Sequence, residues 1–333
     1  MSTRPRILLT HTADTRRNYY GDQALAGLRA LGDVVLHDGI APMDTPALIA
    51  ASRDCTLIVA DRATHLDSER IAGLTNVAAI LRVAVDIRNI DVAAASQAGI
   101  LVTQASRSWV AAVSELAIGL MIDAARGISS ANIAYKSGGQ PSVARGRQLA
   151  GSVAGIIGYG PLGRRVAELC QAFGMTVLVH DPYVTIADAG ITQTALDEVF
   201  RRADFLLPLA VATPETESIV GERTLALMQP DAYLINLSRG NLVDEAALAT
   251  ALATKRIAGA ALDVGRAPDQ MPSADLARRR DVSATPHIGG LTAAAIEGQA
   301  LETVAQATAI LRGKIPAGAV NADAAHRLAR FKP

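Results

Sequence analysis

Three glycines recur with G-x-G-x-x-G spacing directly after the apolar segment Val153–Ile157. The segment they define consists of Gly158, Tyr159, Gly160, Pro161, Leu162 and Gly163. Gly158 permits a tight turn, Gly160 lets the backbone approach a pyrophosphate, and Gly163 allows close helix-strand packing. An amphipathic pattern follows, so the phosphates are expected at the free N–H groups of a helix that begins near Pro161. The spacing predicts a dinucleotide-binding turn.

An acidic residue completes this pattern. Asp181 ends the next apolar segment, 18 residues after Gly163. A carboxylate at this position accepts hydrogen bonds from the adenosine ribose hydroxyls and repels a 2′-phosphate. The sequence therefore predicts NAD, rather than NADP, as the cofactor.

Two charged residues follow apolar segments further along the chain. Arg239 lies in Ile235–Gly240 (INLSRG), and His287 lies in Ser283–Gly290 (SATPHIGG). Ligands bind at the carboxyl ends of strands in doubly wound sheets, so both side chains are expected near the cofactor. Arginine can bind a carboxylate and polarise a carbonyl, while histidine can exchange a proton with a hydroxyl. This pair is suited to the interconversion of 2-hydroxy and 2-oxo acids.

The elements that must position these residues alternate along the chain. Short apolar runs, such as Leu57–Ala60 and Gly259–Leu262, read as strands, and helical patterns lie between them. This alternation predicts two parallel sheets with crossover helices. The Ala-rich helical stretch Ser108–Gly127 leads to the glycine turn, so the chain changes domain near residue 104. The last helical pattern, Ala293–Arg312, is followed by no strand.

Composition narrows the range of functions. The 333 residues include 32 basic and 32 acidic side chains without a block of one sign, which argues against nucleic-acid and membrane partners. Cys55 and Cys170 lack metal-like spacing and are expected to be buried free thiols in a reducing, cytoplasmic compartment. The apolar stretch near residue 1 is too short for a signal peptide, so none is expected, and no apolar run reaches membrane-spanning length. A small-molecule substrate is the expectation.

Several blocks of the chain resemble the D-isomer-specific 2-hydroxyacid dehydrogenases. They include GYGPLG through HDPY, LINLSRGNLVDEAAL, GAALDV and TPHIGG. The resemblance implies an α/β fold of two Rossmann-like, doubly wound parallel-sheet domains. The NAD-binding domain, residues 105–289, would be inserted into a flavodoxin-like substrate-binding domain made from residues 1–104 and 290–333.

The resemblance also implies roles for individual residues. Arg239 matches the substrate-binding arginine of the family, His287 its acid/base histidine, and Asp263 the aspartate near the nicotinamide carboxamide. The glycine turn and Asp181 match cofactor residues, and Ser238 and Gly289 are further cofactor contacts on the same basis. The other histidines, His11, His37, His65, His180 and His326, lack partners at useful spacing and are expected at the surface or at helix ends.

The chain departs from the family beside the histidine. The family has a glutamate five residues after the ALDV aspartate, where it hydrogen-bonds the histidine, but this chain has Pro268 there. Asp269 or Gln270 could supply the missing partner after a loop shift of one or two residues. A neutral glutamine would stabilise a protonated imidazole less than a carboxylate would. If neither residue serves, both belong to an ordinary polar loop.

A second departure lies in the predicted substrate loop, Arg82–Asn89. Family members carry a glycine-rich turn there whose N–H groups hold the substrate carboxylate. This chain has Ala84 and Asp86 at the glycine positions, and Ala84, Val85 and Arg88 are the candidate substrate contacts. Asp86 would repel a carboxylate unless it faces away or pairs with Arg88.

The sequence thus favours an NAD-dependent oxidoreductase that interconverts a 2-hydroxy acid and its 2-oxo acid, with reduction as the favoured direction. The alternative is an NAD-sensing binding protein of corepressor type on the same fold, in which catalysis is weak or lost. The resemblance further implies a homodimer that pairs through the stretch Ser108–Gly127. No metal site is predicted.

Overall fold

The computed structural model describes residues 4–331, and of Asp269 only the backbone. The chain forms two compact units. Unit 1 runs to Ser108 and resumes at Thr292, and unit 2 is the continuous segment Trp109–Leu291. Each unit is built on a parallel β-sheet with helices, which confirms the predicted α/β fold class.

Unit 1 contains a five-stranded sheet of order β2-β1-β3-β4-β5. Its strands are β1 (Arg6–Leu9), β2 (Asp33–Leu36), β3 (Leu57–Ala60), β4 (Ala79–Arg82) and β5 (Leu101–Thr103). Its helices are α1 (Ala13–Tyr19), α2 (Asp22–Leu31), α3 (Thr45–Ser52), α4 (Ser68–Gly73), α5 (Val92–Gln97) and α13 (Ala293–Leu311). The side chains of Asp44, Asp67 and Asp91 accept N–H groups in the first turns of α3, α4 and α5, which fixes where these helices begin.

Two apolar clusters cover the two faces of this sheet. One contains Leu9 and Leu57 together with Ala300 and Ile310 of α13. The other contains Ile58 and side chains of the α3 to α5 region. All four residues of β3 are buried, as expected for a central strand of a parallel sheet. Unit 1 therefore needs both of its chain segments to complete its core.

Unit 2 contains a seven-stranded parallel sheet of order β12-β11-β10-β9-β6-β7-β8. Its strands are β6 (Val153–Ile157), β7 (Thr176–His180), β8 (Ile191–Gln193), β9 (Phe205–Pro208), β10 (Tyr233–Asn236), β11 (Gly259–Leu262) and β12 (Val282–Ala284). Its helices are α6 (Val110–Arg126), α7 (Ile128–Lys136), α8 (Pro161–Ala172), α9 (Leu196–Arg202), α10 (Glu222–Leu225), α11 (Glu245–Ala253) and α12 (Ala274–Ala277).

The helices of unit 2 differ in how much they bury. Helix α6 packs Ala117 and Met121 with α8 and the sheet, so its apolar side chains belong to the core of its own unit. Helix α7 buries no residue within the described chain. Among its side chains, Ile133 and Tyr135 are 66% and 68% exposed.

Within residues 4–331, no helix combines the length and apolarity that spanning a membrane would require. Cys55 and Cys170 are both buried free thiols, as predicted. In the same described range, no cluster of three or more His, Cys, Asp or Glu side chains is arranged to hold a metal ion.

Candidate active site

The glycine turn lies between β6 and α8, and its three glycines differ in the space that surrounds them. Gly158 has φ +98°, and a Cβ added there would lie 2.7 Å from the backbone of Ala210. A Cβ on Gly163 would lie 2.1 Å from the carbonyl oxygen of Gly158. A Cβ on Gly160 would meet open space. The turn is thus closed on the protein side and open at Gly160, where a pyrophosphate needs close access to the backbone.

The start of α8 supplies donors at this open side. Gly160 is its N-cap residue and Pro161 its first residue, and no side chain caps the helix. The first N–H groups of a helix have no partners within the helix, and its N-terminus carries positive potential. An uncapped N-terminus next to an open glycine therefore fits the phosphates of a dinucleotide.

Asp181 lies directly beside this turn. Its carboxylate accepts the N–H of Tyr159 at 2.7 Å and the N–H of Tyr183 at 2.9 Å. The hydroxyl of Tyr159 donates to Asp188 at 2.6 Å, which fixes the position of this side chain. Each carboxylate oxygen retains accepting capacity, so the position of Asp181 fits contact with ribose hydroxyls.

The chain bends sharply after β10, where Arg239 lies. The side-chain oxygen of Asn236 accepts the N–H of Ser238, and its amide nitrogen donates to the carbonyl oxygen of Arg239 at 3.0 Å. Ser238 Oγ donates to Ala210 O at 3.2 Å. Arg239 is half-buried, and its Nη1 donates to the carbonyl oxygen of Ser238 at 2.8 Å. A single asparagine thus folds the turn that carries the arginine.

Asp263 follows β11 and organises the segment that carries His287. It is 1% exposed. Its carboxylate accepts the hydroxyl of Thr285 at 2.7 Å and the N–H groups of Ile288 and Gly289 at 2.8 Å each. A buried carboxylate is tolerated when donors surround it in this way. The interactions of Asp263 therefore hold the two sides of the histidine in place.

His287 itself is half-buried and has a left-handed backbone, with φ +55°. Its N–H donates to the carbonyl oxygen of Thr285 at 3.0 Å, which closes the turn around Pro286. Non-glycine residues rarely adopt this conformation, and histidine tolerates it better than most. Such strain is concentrated at functional sites, where the surrounding structure enforces it.

The two candidate partners of His287 lie in the short 3₁₀ segment Pro268–Gln270. Gln270 also has a left-handed backbone, with φ +58°, and its Oε1 is buried without a hydrogen-bond partner in the described residues. The side chain of Asp269 lies outside the described part of the chain. The assignment of either residue as the partner stays a prediction.

The predicted substrate loop of unit 1 begins where β4 ends, at Arg82. Asp86 pairs with Arg88 at 2.6 Å, and this pairing raises the pKa of the arginine. Asp86 was expected either to face away from the substrate or to pair with Arg88, and the structure shows the pairing. Ala84 accepts the N–H of Ala105 through its carbonyl oxygen at 3.0 Å, and both Ala84 and Val85 are half-buried.

His11 lies at a helix end, one residue before Thr12, the N-cap of α1, but the alternative expectation of a surface position is wrong. The residue follows β1, is 1% exposed, and packs its ring against Tyr20 with a centroid separation of 5.2 Å. Burial, opposed by Asp61 and reinforced by Arg82, lowers the pKa of His11 from 6.5 to about 4. Its Nδ1 has no hydrogen-bond partner in the described residues. Asp61 and Arg82 are distant in sequence, so no local pattern reveals this environment.

Sequence reasoning also missed Arg266, which contacts Asn241 and Val243, in the segment after the Arg239 turn, and the distant Glu217. A lone arginine in a polar loop carries no motif, and only tertiary contacts identify it.

Comparison with known proteins gives consistent results. The sequence profile described as D-isomer specific 2-hydroxyacid dehydrogenase, NAD binding domain, matches residues 118–289. The chain is 33% identical over 296 residues to D-3-phosphoglycerate dehydrogenase of Mycobacterium tuberculosis, covering 88% of this chain and 56% of that protein. It is 32% identical over 254 residues to hydroxypyruvate reductase of Thermotoga maritima, covering 74% and 82% respectively.

Among solved structures, one similar protein is the NADPH-dependent glyoxylate/hydroxypyruvate reductase of Sinorhizobium meliloti in complex with NADP and malonate. It aligns with a TM-score of 0.78 at 25% identity and covers 96% of this chain and 97% of that one. The chain spans little more than half the length of several phosphoglycerate dehydrogenases that it matches.

Proposed function

Because the chain belongs to the D-isomer-specific 2-hydroxyacid dehydrogenases, we propose that it is an NAD-dependent oxidoreductase that interconverts a 2-hydroxy acid and its 2-oxo acid. Unit 2 contains the NAD-binding domain of that family. Reduction of the 2-oxo acid is the favoured direction.

The cofactor is held by the glycine turn and the start of α8. The uncapped helix N-terminus would hold the pyrophosphate, Gly160 would leave it room, and Asp181 would accept the ribose hydroxyls. NADH bound in this way would supply the hydride for reduction of the substrate carbonyl. Asp181 favours NADH over NADPH, although the similar Sinorhizobium meliloti enzyme is NADPH-dependent. We infer this preference from the position of the carboxylate beside the turn.

Arg239 and His287 act on the substrate. The guanidinium of Arg239 binds the carboxylate and polarises the 2-oxo group. His287 donates a proton to the carbonyl oxygen as the hydride adds to the carbon, so that one hydroxyl group forms. In the reverse direction the neutral imidazole accepts the hydroxyl proton. Ala84, Val85 and Arg88 of unit 1 are the proposed further substrate contacts, and Arg88 offers a cation already paired with Asp86.

The observation that carries this proposal is the buried Asp263. Its carboxylate fixes residues on both sides of His287, and the backbone of His287 is held in the left-handed region. A histidine held in this way at the carboxyl edge of the sheet is suited to proton transfer, because catalysis depends on preorganised geometry. The corepressor-type alternative is less well supported, since the relatives named above are a dehydrogenase and reductases.

The direct test is NADH oxidation by the purified protein with a panel of 2-oxo acids that includes glyoxylate, hydroxypyruvate and phosphohydroxypyruvate. We expect turnover with at least one acid. His287→Ala should lower kcat by about 10²- to 10⁴-fold and leave NADH binding nearly unchanged. NADH binding without turnover of any acid would contradict the proposal and favour the NAD-sensing alternative.

A homodimer and a cytoplasmic location complete the proposal. The stretch Ser108–Gly127 stays the proposed dimer contact, and most apolar side chains of α6 within it also pack in the core of unit 2. The adjacent α7 adds the exposed apolar side chains Ile133 and Tyr135 to the proposed contact. Sedimentation should show a dimer that Ile133→Asp weakens, and a wild-type monomer at micromolar concentration would refute the dimer.

A further inference from the structure

We propose that Arg266 is a positioning residue that locks the turn carrying Arg239 to the loop that carries the candidate partners of His287. The inference rests on the proposed function for its kinetic consequence. Its structural content is independent of that function, because it concerns only contacts within unit 2.

Arg266 reaches across to the segment that follows Arg239. Its Nε donates to the carbonyl oxygen of Val243 at 3.0 Å, and its Nη2 donates to the carbonyl oxygen of Asn241 at 3.0 Å. Its own N–H donates to Glu245 Oε1 at 2.9 Å, at the start of α11. One residue thus contacts three positions between residues 241 and 245. Because two of the acceptors are backbone oxygens, these contacts fix the path of the chain.

A second segment joins the same guanidinium. Nη2 of Arg266 also lies 2.6 Å from Glu217 Oε1 and 3.2 Å from Ser218 Oγ. The other carboxylate oxygen of Glu217 accepts the side-chain amide of Asn241 at 3.1 Å. These hydrogen bonds, that of Arg266 first, lower the pKa of Glu217. Glu217 therefore bridges Arg266 and Asn241, so that the contacts form a closed ring.

The backbones of the two loops also touch directly. A Cβ on Gly240 would lie 2.1 Å from the carbonyl oxygen of Gly265, so no side chain can separate the turn from the loop. Gly265 donates its N–H to the carbonyl oxygen of Gln270 at 2.9 Å, and Ala267 donates to that of Met271. Residues 265–271 consequently form a closed loop in which a displacement of Arg266 also displaces Gln270.

Arg266 is expected to contribute more to the position of the reacting groups than to the stability of the fold. Arg266 and Glu217 are 37% and 43% exposed, and ion pairs of that exposure contribute little to folding. The position of reacting groups is much more sensitive, since a displacement of about 1 Å can cost roughly a hundredfold in rate. Loss of Arg266 should therefore affect turnover far more than stability.

The experiment compares Arg266→Ala and Arg266→Lys with Arg279→Ala as a matched control. Arg279 forms a two-point ion pair with Asp281 in the same unit, at 2.7 and 2.8 Å, but Asp281 lies at the amino end of β12. The measurements are kcat, KM for the preferred 2-oxo acid, the pH profile of kcat, NADH affinity, thermal stability and amide hydrogen exchange.

For Arg266→Ala we expect kcat/KM to fall by roughly tenfold to a hundredfold. The KM for the 2-oxo acid should rise and the pH profile should move, while NADH affinity stays nearly unchanged. Arg266→Lys should recover only part of the loss, because an ammonium cannot reproduce the two-armed contact. Arg279→Ala should leave all the kinetic values unchanged.

Hydrogen exchange separates this inference from the proposed function. Arg266→Ala should speed exchange at the amides of Val243, Gly265 and Gln270 but not at those of β10. Wild-type protein without turnover would refute the proposed function alone. Wild-type kinetics and exchange in Arg266→Ala, or an equal kinetic loss in Arg279→Ala, would overturn the positioning role.

Discussion

The left-handed backbone of His287 allows a test in which two variants lose the same chemistry but differ in stability. His287→Ala and His287→Gly both remove the imidazole and all of its interactions. At φ +55° alanine is strained, whereas glycine is not. The comparison therefore isolates the backbone conformation of residue 287 from the function of its side chain.

The expected difference follows from that angle. A non-glycine residue in the left-handed region costs roughly 1–2 kcal/mol, and the greater flexibility of unfolded glycine offsets part of this. We expect His287→Gly to be about 1 kcal/mol more stable than His287→Ala. For a unit the size of Trp109–Leu291, that difference corresponds to an increase in Tm of roughly 2–4 °C.

Thermal unfolding followed by circular dichroism provides the measurement. Glu115, exposed on α6, provides a control with ordinary helical geometry, where the order should reverse and Glu115→Gly should be less stable than Glu115→Ala. Equal Tm values for the two His287 variants would refute the left-handed geometry, and with it the argument that strain is held at this position.

Three further predictions concern the cofactor, the buried histidine and the catalytic partner. Asp181→Ser should weaken NADH binding and reduce the preference for NADH over NADPH. Equal affinity of the wild type for both nucleotides in fluorescence titrations would contradict the role of Asp181. His11 has a folded pKa of about 4, below its ordinary 6.5, so the stability linked to its neutral form is present above pH 6.5 and lost as the pH falls towards 4. That loss amounts to about 3 kcal/mol in the free energy of unfolding. His11→Phe should abolish this pH dependence when denaturant unfolding is measured at pH 6.5 and at pH 4. Equal pH dependence in the wild type and in His11→Phe would refute the prediction. Asp269→Asn should move the pH profile of kcat if Asp269 is the histidine partner, whereas Gln270→Leu should move it if Gln270 is. A profile unchanged in both variants would exclude both candidates.

The parts of the fold that sequence predicts best are those fixed by local rules. The strand Val153–Ile157 and the helix starting at Pro161 are both found, because glycine spacing and apolar runs constrain the backbone within a few residues. Helix α7 was not predicted, and its apolar side chains, including Ile133 and Tyr135, are exposed rather than packed in a core. Strand β8 is three residues long and is only half-buried at one of them, which leaves little pattern to detect.

The parts of the site that sequence cannot predict depend on distant partners. The ring of Arg266 contacts joins residues 217 to 266, and none of these positions forms a recognisable motif. The environment of His11 depends on Asp61 and Arg82, which topology alone brings to the ends of neighbouring strands. By contrast, Arg239 and His287 stand out in sequence because each lies three residues after the end of a strand.

The division of unit 1 into two chain segments has a consequence for the order of folding. The hydroxyl of Tyr20 contacts that of Thr303 across 283 positions, and Ala300 and Ile310 complete the apolar cluster on one face of the sheet. During synthesis the five strands of unit 1 emerge first together with α2, but α13, which completes the cover of this face, emerges after all of unit 2. Unit 2 is continuous and can fold as it is made, while unit 1 waits with this face of its sheet only partly covered. Aggregation during expression should therefore begin at the unit 1 sheet, and slower growth or added chaperones should raise the yield more than stabilising substitutions in unit 2.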